Sequence, residues 1–218
     1  MDEETLRAIA SQLRQPSGEF AIEVGEKMNE GNLQINLNAI EALHLSNGDN
    51  LLEIGMGNGL FVKDILSKDG TIQYSGCDFS QIMVDEATMQ NKEYVKAGRV
   101  QFYFASAVQL PFEDETFNKV FSINTLYFWE DPKLILAEMS RVLKPNGQIF
   151  ISIRPKLTMQ HYPFVKFGFQ MYDKEELCEL LVHNNFKLVS VVEKEEPDQL
   201  IGGQKMKVDS LIVCGEKV

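Results

Sequence analysis

Two carboxylates and three alternating glycines are the residues of this chain best spaced to do chemistry. Leu51-Leu52-Glu53-Ile54-Gly55-Met56-Gly57-Asn58-Gly59 sets an acid inside an apolar run and then glycine at every second position. A short apolar run ending in glycine reads as a buried parallel strand that turns sharply into a helix. A carboxylate in such a strand is costly unless it is hydrogen-bonded, so packing alone does not account for Glu53. Gly55, Gly57 and Gly59 free the backbone for positive φ and let a ligand approach the main chain closely. The apolar spacing of Leu60, Phe61, Ile65 and Leu66 predicts a helix whose N-terminus faces that ligand. Ile72 to Asp78 reads as a second strand, and its terminal acid stands nineteen residues past Gly59. At that distance a carboxylate can accept hydrogen bonds from both hydroxyls of a ribose. The chemistry indicated is that of a nucleotide-type cofactor site.

A dinucleotide site would require G-x-G-x-x-G. Here the third glycine comes one residue early, and Leu60 stands where a small residue is wanted. The pattern E-x-G-x-G-x-G instead resembles the first motif of class I S-adenosylmethionine-dependent methyltransferases, of the small-molecule, ubiquinone/menaquinone-biosynthesis-like type. Gly76-Cys77-Asp78-Phe79-Ser80, followed by Met83, resembles the second motif, and Ser80 reads as a helix cap. Ala105-Ser106-Ala107-Val108-Gln109-Leu110-Pro111-Phe112 is similar to a third, in which Ser106 replaces an aspartate. Phe117 to Ser152, with Arg141-Val142-Leu143-Lys144-Pro145-Asn146-Gly147, is similar to a fourth, in which Asn118 and Asn146 are departures. Asparagine tolerates left-handed backbone well, so Asn146 is a mild one. The resemblance spans roughly Leu51 to Ile153.

What it implies is S-adenosylmethionine as cofactor and methyl transfer to a small molecule, with positioning and desolvation as the main catalytic devices. It implies cofactor contacts from Glu53, Gly55, Gly57, Gly59, Asp78, Phe79, Met83, Ser106, Ala107 and Asn124. A nicotinamide-dependent oxidoreductase and a non-catalytic cofactor-binding domain are the competing readings.

The acceptor should lie beyond the carboxyl ends of the strands. Two segments reach that edge, Asn124 to Glu130 and Met159 to Phe169. Tyr127, Trp129, His161 and Tyr162 are the substrate-side candidates, and the aromatic density suggests a small, apolar or planar acceptor. The same aromatics would equally serve to pack these loops on the sheet. His161 is the candidate base because its ordinary pKa lies near neutrality; no catalytic residue is otherwise identified.

These residues must be held by a Rossmann-like α/β domain: seven strands, mostly parallel, with helices on both faces and the last strand antiparallel. Residues 49–218 supply it, with strands at Arg99 to Phe104, Phe117 onward, Ile149 to Ile153, Phe186 to Val192 and Met206 to Cys214. Asp173 and Glu176 read as a capping pair, and Glu193 to Asp198, with Pro197, as an acidic turn. Residues 1–48 read as added helices that form a lid, with apolar stripes Leu6/Ala10/Leu13, Phe20/Val24/Met28 and Leu33/Leu37/Ile40, and with Ser17 as a cap. The 218 residues suit one α/β unit, and a hydrophobic content of 44% excludes general disorder. The net charge of −11 argues against a nucleic-acid substrate or an anionic membrane. Cys77, Cys178 and Cys214 are isolated and odd in number, which favours a reducing cytoplasmic setting with neither disulfides nor a metal site.

Overall fold

A computed structural model describes residues 1–201 and 203–218. Seven strands, β1 (Asn50–Ile54), β2 (Gln73–Asp78), β3 (Val100–Phe104), β4 (Phe117–Ile123), β5 (Leu143–Ile153), β6 (Phe186–Ile201) and β7 (Gln204–Lys217), form one sheet in the order β3-β2-β1-β4-β5-β7-β6. Pairing from β3 through β5 is parallel, and β7 runs antiparallel to both β5 and β6. The chain reverses direction across the sheet between β1 and β4, the switch point at which open α/β sheets bind ligands.

The helices are α1 (Glu3–Arg14), α2 (Ala21–Ala42), α3 (Val62–Leu66), α4 (Gln81–Gln90), α5 (Lys92–Lys96), α6 (Pro132–Val142), α7 (Lys156–Met159) and α8 (Lys174–His183). Strands buried on both faces need two apolar layers. On one side Leu52 and Ile54 pack with Leu136, Met139 and Leu177. On the other, Leu51 and Phe121 pack with Ile35, Ala39 and Ile65. Asp173 and Glu176 do form a reciprocal capping box at the start of α8. Among the described residues no helix is long and apolar enough to cross a membrane.

Four local expectations are corrected. The second and third N-terminal stripes are one continuous helix, α2, whose buried face carries Ile35, Asn36, Ala39 and Ile40, leaving Leu33 and Leu37 exposed. Ser17 is no cap: α2 begins at Ala21 after Phe20, and Ser17 bonds to Gln12 instead. Ser80 occupies the N-cap position of α4, but its hydroxyl donates to the Pro16 carbonyl (2.7 Å) rather than capping the helix. Glu193 to Asp198 is not a turn. β6 runs through it, with the register shift between Glu196 and Gln199 absorbing Pro197, which cannot donate to a ladder.

Candidate cofactor and acceptor site

At the carboxyl ends of β1, β2 and β4 lies a cavity of about 500 Å³. Its floor is the turn after β1. Gly55, Gly57 and Gly59 all take positive φ, at 76°, 58° and 69°, where a side chain would be strained. Gly55 also passes so close to Thr125 that an added Cβ would lie 2.3 Å from its Cγ2. A Cβ on Gly57 would meet nothing within 4 Å, so this backbone is bare toward the cavity it lines. Gly59 does not line the cavity. An added Cβ would stand 2.9 Å from Ala87 Cβ, and the Gly59 carbonyl accepts from Asn91 Nδ2, so this glycine seats α4.

Asp78 ends β2 with its carboxylate buried. Oδ1 accepts from the Ser80 N–H (2.8 Å) and Oδ2 from the Gly57 N–H (3.1 Å). Burial raises its pKa above the ordinary value, and the backbone donors of Ser80, Gly57 and Phe79 oppose that rise. The strand acid Glu53 projects from β1 on the same face as Leu51. Its Oε2 accepts from the Tyr74 hydroxyl (2.6 Å). Burial pushes its pKa up to about 7, with the Tyr74 hydrogen bond pulling the other way and Asp78 adding repulsion.

Phe79, Met83, Ser106, Ala107 and Asn124 also line the cavity. Asn124 sits in the left-handed region, at φ 55°, directly after β4. Of the substrate-side candidates Trp129 lines the cavity, joined by Phe128, Leu134 and Ile135. Tyr127, His161 and Tyr162 do not line it. Tyr127 is buried, and its hydroxyl is engaged by Asn124 and by the backbone of Arg154. His161 is exposed, and Tyr162 donates to Gln199. Phe169 of the loop after β5 packs on Tyr127 and Phe128, and Phe164 packs on Phe169; neither Phe164 nor Phe169 lines the cavity. For these three residues packing describes their surroundings.

The roof comes from the N-terminal helices. Leu13 and Arg14 at the end of α1, and Pro16 in the α1–α2 connection, line the cavity. Arg14 pairs with Glu130 at 2.6 Å, and Gln15 donates to the Phe79 carbonyl at 2.9 Å. Helix α2 contributes Gly25, Met28, Asn29, Asn32 and Asn36. In the sequence residues 1–48 read as a lid, but no residue of α2 is assigned to the site, because nothing local marks the angle at which a leading helix crosses the sheet edge. Cys77 lines the cavity too, but burial pushes its thiol pKa up to about 12, so it is not a nucleophile. Among the described residues no cluster of His, Cys, Asp and Glu could hold a metal ion.

The bare glycine backbone, a buried acid at the tip of β2 and a second acid in β1 suit a nucleoside carrying a cationic tail. Comparison with known proteins is consistent with that. Residues 52–151 match the family described as a methyltransferase domain. YrhH of Bacillus subtilis (strain 168), which bears a methyltransferase name, is 35% identical over 114 residues, covering 52% of this chain and 62% of YrhH. The chain thus spans less than two thirds of that relative's length. Among solved structures, the methyltransferase in a Haloferax volcanii complex with the Trm112 methyltransferase activator superposes with a TM-score of 0.74 at 17% identity, covering 99% of this chain and 98% of that one. The geranyl diphosphate C-methyltransferase of Streptomyces coelicolor A3(2), in complex with Mg2+, geranyl diphosphate and S-adenosyl-L-homocysteine, superposes with a TM-score of 0.70 at 13% identity, covering 95% and 88%.

Proposed function

We propose that this chain, whose residues 52–151 match the methyltransferase-domain family, is a class I S-adenosylmethionine-dependent methyltransferase that transfers a methyl group to a small neutral acceptor, apolar or planar over most of its surface. The observation that carries this reading is the Gly57 backbone, bare toward the cavity and tied to the Asp78 carboxylate. S-adenosylmethionine supplies an electrophilic methyl group on a sulfonium. The chain's own residues bind, orient and exclude water. Asp78 retains acceptor capacity on both oxygens for ribose hydroxyls, and Phe79 and Met83 offer apolar surface to the adenine. Ser106, in place of the family's aspartate, offers the adenine amino group a neutral acceptor. The α1–α2 connection acts as the lid of the site, supported by the Gln15 and Ser80 hydrogen bonds that tie it to α4 and its approach.

The acceptor side is framed by Trp129, Phe128, Leu134 and Ile135. Its charged neighbours are Glu130, Asp131 and Arg14, the last already paired with Glu130. That balance disfavours an anionic acceptor, in contrast to the diphosphate bound by the Streptomyces neighbour. It equally disfavours nucleic acid. No histidine is among the residues that line the cavity, and the rate is ascribed to holding the nucleophile in line and excluding water, a contribution of roughly 7–11 kcal/mol.

Titration calorimetry with S-adenosylhomocysteine tests the reading. The wild-type protein is expected to bind it, and Asp78→Ala to bind at least about tenfold more weakly through loss of charge-assisted contacts. Unchanged affinity in the variant, or protection by a reduced nicotinamide instead, would remove the assignment.

A further inference from the structure

A second hollow, an open groove of about 510 Å³, is lined by the start of α6, by helix α8 and by the segment leading into α8. Its less exposed members are Pro132, Tyr172 and Leu180, whereas Glu130, Asp131, Glu176 and Glu179 bring four exposed carboxylates to it. Two of these acids already face a cation: Glu130 pairs with Arg14 at 2.6 Å and Glu176 with Lys156 at 3.2 Å. Asp131 spends Oδ1 on the first backbone N–H groups of α6. Glu179 enters no hydrogen bond or ion pair among the described residues. Lys133 lines the groove too. With the two ion pairs set aside and His183 counted as neutral, Asp131 and Glu179 stand against Lys133, and negative charge is left over.

An acidic rim by itself is ordinary solvated surface. Tyr172 sets this one apart. The residue is 7% exposed, and its hydroxyl is buried without a hydrogen-bond partner among the described residues. Leaving such a group unpaired is costly. Burial raises the Tyr172 pKa and the Glu176 carboxylate raises it further, so the phenol keeps its proton and its hydroxyl end lies toward the acidic wall of the groove. A phenol oxygen accepts hydrogen bonds as well as donating one. A group that donates to that oxygen, carries positive charge and tolerates apolar contact on its other side matches all three features.

We propose that the groove between α6 and α8 binds a primary ammonium on an aliphatic chain. The Glu179 carboxylate and the Tyr172 hydroxyl hold the ammonium, and Pro132 and Leu180 meet the hydrocarbon. Glu130 and Asp131 line both this groove and the cofactor cavity, so the occupant bears on a wall the two hollows share. The site is independent of the methyltransferase reading.

Nuclear magnetic resonance of the nitrogen-labelled protein tests this, with n-butylammonium titrated against n-butanol and tetramethylammonium at matched ionic strength. Butylammonium should saturate at about millimolar concentration and shift amides around Tyr172 and Glu179. Butanol lacks the charge and tetramethylammonium the N–H donors, and each should bind at least about fivefold more weakly. Glu179→Gln should weaken butylammonium about threefold to fivefold, as suits an exposed carboxylate. Tyr172→Phe should weaken it about threefold or more, yet keep or raise the thermal midpoint, because the hydroxyl removed had no partner. A tyrosine with a purely structural role would move the midpoint and leave the affinity alone. Glu195→Gln removes an acid of β6 outside the groove and should bind as wild type does. Nα-acetyl-lysine N-methylamide separates two sources of the same chemistry: affinity at or above that of butylammonium assigns the groove to a partner protein's lysine, lower affinity assigns it to a free amine, and both uphold the site. The proposal is overturned by a wild type that shows no saturable shift, by tetramethylammonium binding as well as butylammonium, by wild-type affinity in either groove variant, or by an equal loss in Glu195→Gln.

Discussion

Glu53 is the residue whose chemistry depends most on its surroundings. Burial holds its carboxyl at about 7 against an ordinary value of 4.5, so near neutrality the ligand-free protein is partly protonated there. Two consequences follow, of opposite sign in pH. The folded state keeps a proton that the unfolded chain has already released, so this group favours folding fully below pH 4.5 and loses that contribution as pH climbs to about 7. Asp78, also raised by burial, acts in the same direction. An ammonium in the cavity reverses the preference, because it favours the carboxylate. Affinity for S-adenosylhomocysteine should therefore rise with pH through about 7, by up to about tenfold per unit on the acid side. Binding at pH 6 should release a proton, measurable as a dependence of the calorimetric enthalpy on buffer ionisation heat. A pH-independent affinity in the wild type, or a pH dependence that survives in Glu53→Gln, would show that Glu53 does not face the ligand's charge.

At the scale of elements, the glycine turn does two separable jobs. Gly57 lines the cavity with open space where a Cβ would go, whereas Gly59 is pressed against Ala87 of α4. Both have positive φ, so alanine strains either by about 1–2 kcal/mol. Gly59→Ala adds a clash with a short, inflexible neighbour, for about 1–3 kcal/mol more. It should lower the thermal midpoint more than Gly57→Ala does, yet leave S-adenosylhomocysteine affinity closer to wild type. Gly57→Ala should show the reverse order. Identical behaviour of the two variants would refute the division.

This turn was legible in the sequence because its requirements are local: glycine for positive φ, an apolar run for the buried strand, an acid at the tip of the next. Asn146 likewise adopts the left-handed conformation, at φ 62°, that its residue type allows. What the sequence hid was set by distance. Tyr127 and His161 have the chemistry of site residues, but Tyr127 is buried against Phe169 of the loop after β5, His161 is exposed, and neither lines the cavity. Asn32 looks like an unremarkable helix residue until β5 brings Arg154 against it, 122 positions later.

At the scale of the whole molecule, the antiparallel β6–β7 pair does more than finish the sheet. β7 enters between β5 and β6, which carries Glu196 of β6 over to Arg154 at the end of β5 (2.9 Å). Ser210 of β7 donates to the other Glu196 oxygen at 2.7 Å, and Asn38 of α2 donates to Ser210 at 3.0 Å. One buried network thus joins the leading helix, the cavity edge and the last two strands. Among the described residues Arg154 Nε lacks a partner, so the guanidinium has little reserve of hydrogen bonding. Removing its counter-charge leaves a buried cation uncompensated, a loss of about 3–5 kcal/mol. Glu196→Ala should show that loss in urea unfolding. Glu196→Gln, which keeps one acceptor for Arg154 but neither the charge nor the second acceptor, should fall between it and wild type. The single tryptophan, Trp129, lines the cavity, so its fluorescence and the far-ultraviolet dichroism report the site and the sheet separately. If the network couples them, both probes give one midpoint in wild type and in Glu196→Ala, displaced together. A loss below about 1 kcal/mol, or a midpoint shift in one probe alone, would mean that the hairpin and the site are stabilised independently.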